Sequence, residues 1–126
     1  MSMGNEITTE AVRLALGMHE LQARVASMNI ASSSRPNAQA MRVDLSDARA
    51  TLGGIGGLPE NSGDVVQRLQ STSDRLKNVA PRAVGEGIQN DEEVATLVAA
   101  STSYQALGEA LSRQFALMRL AVTGRS

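Results

Sequence analysis

The chain has 126 residues, enough for one ordinary domain, with no cysteine, one histidine and a formal net charge of −1. Without cysteine there is no disulfide, no thiol catalysis and no cysteine-held metal. The 12 basic and 13 acidic residues form no basic block, so the electrostatic footprint of a nucleic-acid binder is missing.

Apolar residues make up 42% of the chain but aromatic ones only 2%. Aromatic side chains dominate the energetics of thick cores. A chain rich in Ala, Val and Leu instead suits narrow seams between helices. The expectation is weak stability as an isolated monomer and ordering on assembly. The N-terminus lacks the charged and apolar regions of a signal peptide. No apolar run approaches the ~18 residues that a membrane span needs. These features predict a protein that stays in the cytoplasm or leaves it without a cleaved signal, and no direct membrane insertion.

After a short polar start, Ile7, Ala11, Leu14, Met18, Leu21, Val25 and Met28 recur at alternating steps of four and three. That spacing predicts an amphipathic helix over 6–31 with one apolar seam. Gly17 lies inside it, at a cost of about 1 kcal/mol relative to Ala. Ser32 to Ser34, followed by Pro36, end the helix in a turn. Met41, Val43 and Leu45 alternate with Arg42 and Asp44, which reads as a short extended piece. Ser46 to Leu52 reads as one or two helical turns. Gly53, Gly54, Gly56, Gly57, Pro59 and Gly63 read as a flexible linker closing the segment 32–63.

A middle helix is expected over 64–80, with Asp64 as N-cap and Val65, Leu69, Thr72, Leu76 and Val79 as its apolar row. Pro81 ends it, and Gly85 and Gly87 read as a further break. Asn90 then opens a long helix over 90–123, with Glu93 at the capping-box position and Asp91 and Glu92 suiting the positive end of the helix dipole. Such a helix is about 50 Å long. One row on it runs Val94, Leu97, Ser101, Tyr104, Gly108, Leu111, Phe115, Met118 and Val122. A second runs Ala100, Leu107, Ala110, Leu117 and Ala121. Two rows call for more than one neighbour. The expected fold is all-α, one domain, with the N- and C-terminal helices paired as an antiparallel-type coiled coil or helical hairpin. The second row is then left for other subunits.

No catalytic constellation emerges. His19 has no cysteine or second histidine to join it in a metal site. Gly53–Gly57 lacks the Lys-Ser/Thr of a phosphate loop, and no serine sits in a nucleophile elbow. Capping explains the Asp91–Glu93 cluster. The methionines Met18, Met28 and Met118 lie at core spacing. The sequence predicts no enzyme activity, no cofactor, no metal and no small-molecule substrate.

Asn29-Ile30-Ala31, Pro36, Ala40 and Val43-Asp44-Leu45 resemble, in order and spacing, the N-terminal motif of bacterial flagellar basal-body rod proteins. Gln22 and Arg24-Val25-Ala26-Ser27 are similar to that family's preceding helix. Tyr104-Gln105-Ala106-Leu107 and Ala110-Leu111-Ser112-Arg113-Gln114-Phe115 resemble the C-terminal helix of its short proximal-rod subunit. The likeness covers about 10–45 and 90–122. This chain departs from the family pattern at Ser32, at Arg35 and at Asn37-Ala38, where the family has Gly-Tyr. The resemblance implies a structural subunit of the periplasm-spanning rod, a drive shaft for motility, exported by the flagellar type III apparatus. Its implied partners are further copies of itself and other rod or basal-body subunits. The assembly residues expected on this reading are Leu14, Met18, Leu21, Val25, Met28, Asn29 and Ile30 on the first helix. On the last they are Leu97, Tyr104, Leu107, Leu111, Phe115 and Met118. The competing expectation is a non-flagellar helical adaptor, or a secretion-related binding module, using the same seams.

Overall fold

The computed structural model describes residues 3–55 and 62–123. Its elements in order are α1 (Met3–Ser32), β1 (Gln39–Arg42), α2 (Ser46–Gly54), α3 (Ser62–Leu76), β2 (Arg82–Gly87) and α4 (Asn90–Thr123). The fold is mostly helical. The departure from an all-α chain is a two-stranded antiparallel sheet.

α1 is the central element. Its apolar seam supplies Leu14, Met18, Leu21 and Val25 to the core, where they meet Leu45, Ala48, Val65, Leu69 and Leu76. The row expected on the middle helix is therefore real, but it is α2 and α3 that cover the α1 seam. α4 makes the most extensive pairing with α1 of any element, yet no α4 residue belongs to the core cluster. α1 thus lies between α3 and α4, packed on both, and among the described residues α4 has no other substantial neighbour. Asn29 near the end of α1 meets Glu93 near the start of α4, while Leu16 and Gly17 share a groove with Tyr104. As α1 is followed backward α4 runs forward, so the two helices are antiparallel.

Gly17 has a packing reason. A Cβ built there would stand 3.2 Å from Leu76 Cδ2, so glycine lets the end of α3 approach α1 closely.

Three expectations in the middle of the chain are corrected. α3 begins at Ser62, which puts Asp64 in its first turn, and it ends at Leu76. Backbone bonds from Asn78 to Arg75 and from Val79 to Leu76 form the turn that follows. Gly53 and Gly54, read as linker, close α2, and Gly63, read with them, lies in the first turn of α3; Gly56, Gly57 and Pro59 lie outside the described residues. The break expected at Gly85 and Gly87 is strand β2. It pairs with β1 at Met41–Ala83 and Arg42–Arg82, and again at Gln39–Gly87. Two steps on β1 face four on β2, so β2 carries a bulge, and Gly85 sits within it at φ 77°. Every residue of β2 is exposed, so it has no buried face to give it a hydrophobic alternation.

Candidate functional site

The turn after α1 is built from its own sequence. Ser33 Oγ donates to the Ile30 carbonyl at 2.8 Å, and the Ser33 and Arg35 amides donate to Ile30 and Ser32. The Ala38 amide then donates to the Arg35 carbonyl at 3.3 Å, closing a four-residue turn. Pro36 occupies its second position and Asn37, at φ 61°, its third. Pro followed by a positive-φ residue is the type II arrangement. Asn tolerates this left-handed region better than other residues with a side chain. Asn37 therefore adopts the backbone conformation that favours the glycine of the rod-protein motif.

This turn delivers β1 to Asn29. The Met41 amide donates to Asn29 Oδ1 at 2.8 Å, and Asn29 Nδ2 donates to the Met41 carbonyl at 3.1 Å. The same Nδ2 group donates to Glu93 Oε1 at 2.9 Å. Arg42 completes the junction: Nη2 donates to Glu93 Oε2 at 3.0 Å and Nη1 to the Met41 carbonyl at 2.9 Å. Asn29 is 1% exposed and Glu93 3%. Buried polar groups are costly unless each finds a partner, and here they satisfy one another. The junction joins the end of α1, strand β1 and the first turn of α4. It also corrects the capping-box expectation, because the Glu93 side chain turns to Asn29 and Arg42. Asp91 and Glu92 stay exposed in that first turn.

The expected assembly residues fall into three groups. Leu14, Met18, Leu21 and Val25 are buried in the chain's own core, and Asn29 in the junction, so in this fold they do not face another subunit. Ile30, Leu97, Leu107, Leu111, Phe115 and Met118 are half-buried. Met28 and Tyr104 are exposed. The two rows read on α4 do not divide between α1 and outside partners. Leu97, Ala100, Leu107, Leu111, Phe115 and Met118, drawn from both rows, are its partly or fully buried apolar side chains. Ala110, Leu117 and Ala121 of the second row are exposed, and so are Val94 and Val122 of the first. The sequence reading missed Leu120, which belongs to neither row. With Leu117 it forms the apolar tip of the open face, at 62% and 61% exposure. The missed signal is an apolar residue off the heptad near the end of a long helix.

A groove of about 760 Å³ runs between α1 and α3, with Leu16, Gly17 and Leu76 among its apolar residues. Its charged rim pairs with itself, Arg13 with Glu10, Arg24 with Glu20 and Lys77 with Asp74, at 3.5–3.9 Å. Each pair has at least one exposed partner, and such pairs contribute little. His19 is half-buried, its Nδ1 lying 3.1 Å from Gln22 Oε1. Among the described residues no group of three His, Cys, Asp or Glu side chains is placed to hold a metal, and no helix is long and apolar enough to cross a membrane.

Compared with family models, with curated proteins and with solved structures, the chain matches none.

Proposed function

We propose that this chain is a structural subunit of the bacterial flagellar basal-body rod, of the short proximal type, polymerising with copies of itself and with other rod subunits. The observation that carries the reading is the junction at Asn29. In the rod-protein resemblance Asn29 opens the motif that leads through Pro36 into an extended segment. Here its side chain holds that segment, through both polar groups of Met41, and ties it to the C-terminal helix through Glu93. The Gly-to-Asn departure at Asn37 keeps the positive φ that a type II turn requires. A generic helical adaptor has no reason to carry this turn.

The antiparallel pairing of α1 with α4 supports the reading at the level of architecture. In the proposal it works as a coiled coil whose outer side, around Leu117 and Leu120, meets neighbouring subunits. Catalysis, cofactors and small-molecule substrates have no part in it. Export follows the flagellar type III route to the periplasm-spanning rod. The test is deletion of the gene in its own host, with electron microscopy of basal bodies. Loss of the rod, restored by the wild-type gene, is the expected result. Intact basal bodies and normal motility favour instead the helical adaptor acting through the same α4 face.

A further inference from the structure

We infer that α4 is a hinged strap: it is pinned at the Asn29–Glu93–Arg42 junction, and its distal half, from about Leu107 onward, releases from α1 while the α1–α2–α3 core stays folded. Four observations carry this. The core cluster draws on α1, α2, α3 and Leu45, and the partly buried side chains packed against it, such as Ile7, Leu52 and Val79, also come from outside α4. Among the described residues of α4 only Glu93 and Ala100 are buried, both in its first eleven positions. Beyond Ala100 every side chain up to Thr123 is half-buried or exposed. Among the described residues the only substantial neighbour of α4 is α1, and no second helix there clamps it from another side.

Segments with few buried apolar contacts open locally at a fraction of the global unfolding free energy. The pin is of a different kind. Glu93 and Asn29, both buried, are held by hydrogen bonds that join three separate elements, the outermost of them to the exposed Arg42. Lifting Glu93 out takes one partner from the buried Asn29 amide and breaks the ion pair with Arg42, whereas lifting Leu111 or Met118 uncovers only side chains that are already half exposed. The strap therefore opens from its free end. This inference concerns the single chain and holds whether or not the chain builds a rod.

The experiment is hydrogen exchange, read by mass spectrometry, on the full-length monomer isolated by size-exclusion chromatography. Amides of 107–120 are expected to exchange at least about tenfold faster than those of 14–25 and 65–76, with 93–100 in between. Glu93→Ala should spread the fast exchange over the whole of α4 and leave the protection of 65–76 unchanged. Leu111→Ala should accelerate the distal half alone. Exchange of α4 in one step with α1 and α3 overturns the strap, and so does an equal loss of protection in α3 and α4 on Glu93→Ala.

Discussion

Asn29 Nδ2 lies 2.9 Å from Glu93 Oε1 across 64 residues of sequence, both residues almost closed to solvent. The Asn29 amide makes three hydrogen bonds: Oδ1 accepts from the Met41 amide, and Nδ2 donates to the Met41 carbonyl and to Glu93 Oε1. Asn29→Ala leaves the Met41 amide and one Glu93 oxygen without that partner, which should lower stability by about 1–3 kcal/mol. Asn29→Asp is nearly isosteric, but it replaces the donor with a carboxylate facing a carboxylate. Urea denaturation near neutral pH should find Asn29→Asp the less stable of the two. A milder effect for Asp than for Ala means that the Glu93 bond is not what the amide is for.

Asn37 gives the second prediction. At φ 61° a residue with a Cβ is disfavoured by roughly 1–2 kcal/mol, less for Asn than for others. Asn37→Gly should leave the thermal midpoint equal or higher. Asn37→Val, β-branched and intolerant of positive φ, should lower it. A midpoint for the valine variant at the wild-type value removes the type II turn from the account of this loop.

Much of this fold is legible in the sequence because it rests on local periodicity. α4 runs from Asn90 to Thr123 as its pattern predicts, and Val65, Leu69, Thr72 and Leu76 are the buried row of α3. What periodicity states is which face is apolar, not which helix covers it. The Leu14–Val25 seam matched α4 in spacing equally well, yet α3 took it, helped by the close approach that Gly17 permits. β2 is not legible in the sequence because a fully exposed strand has no alternation to read, and its partner lies beyond two intervening helices. The capping rule points to a cap at Glu93 because it is local, whereas the partners of Glu93, Asn29 and Arg42, are 64 and 51 residues away. At the candidate site, Asn29 was legible as a motif residue and Leu120 was not, since it lies off both rows.

The close approach at Gly17 is open to test in two steps. Ala gains about 1 kcal/mol of helix propensity over Gly. Its methyl would stand 3.2 Å from the end of the Leu76 side chain, which must yield slightly. Gly17→Ala should therefore change stability little, the two effects opposing. Gly17→Leu has no such escape and should cost about 1–3 kcal/mol by forcing α3 away from α1. Equal stabilities for the Leu variant and wild type, by thermal denaturation, refute the contact.

Acid sensitivity should centre on α2. The Arg75 side chain donates Nε–H to Asp47 Oδ2 at 2.9 Å and Nη2–H to Oδ1 at 3.2 Å. That hydrogen bonding, then the guanidinium charge, holds the Asp47 carboxyl below its ordinary value of 3.8. Asp44 is lowered as well, first by the Ser46 side chain and then by the Ser46 amide. A carboxyl lowered in the folded state stabilises the fold above its ordinary value, and this contribution is lost as pH falls through the folded value. The thermal midpoint should therefore hold down to about pH 5 and fall below about pH 4. Asp47→Asn should flatten part of that fall. An unchanged acid limb in the variant rules out the Arg75 pair as a source of the pH dependence.

The two faces of the terminal helices make opposite predictions for the same substitution. Leu21 belongs to the core between α1 and α3. Leu21→Asp places a carboxylate where nothing can pair with it, and the chain should fail to fold. Leu120 stands 62% exposed at the open tip of α4. Leu120→Asp should leave the monomer's melting within about 0.5 kcal/mol of wild type, as surface substitutions do. The same charge in a contact between subunits is desolvated without a partner, so assembly should be lost although the fold is kept. Circular dichroism melts, sedimentation of the purified chain and motility of a complemented deletion strain separate the two outcomes. A Leu120→Asp variant that melts, assembles and supports motility like wild type removes the α4 tip from the assembly surface. If both variants unfold, the tip is instead part of the chain's own packing.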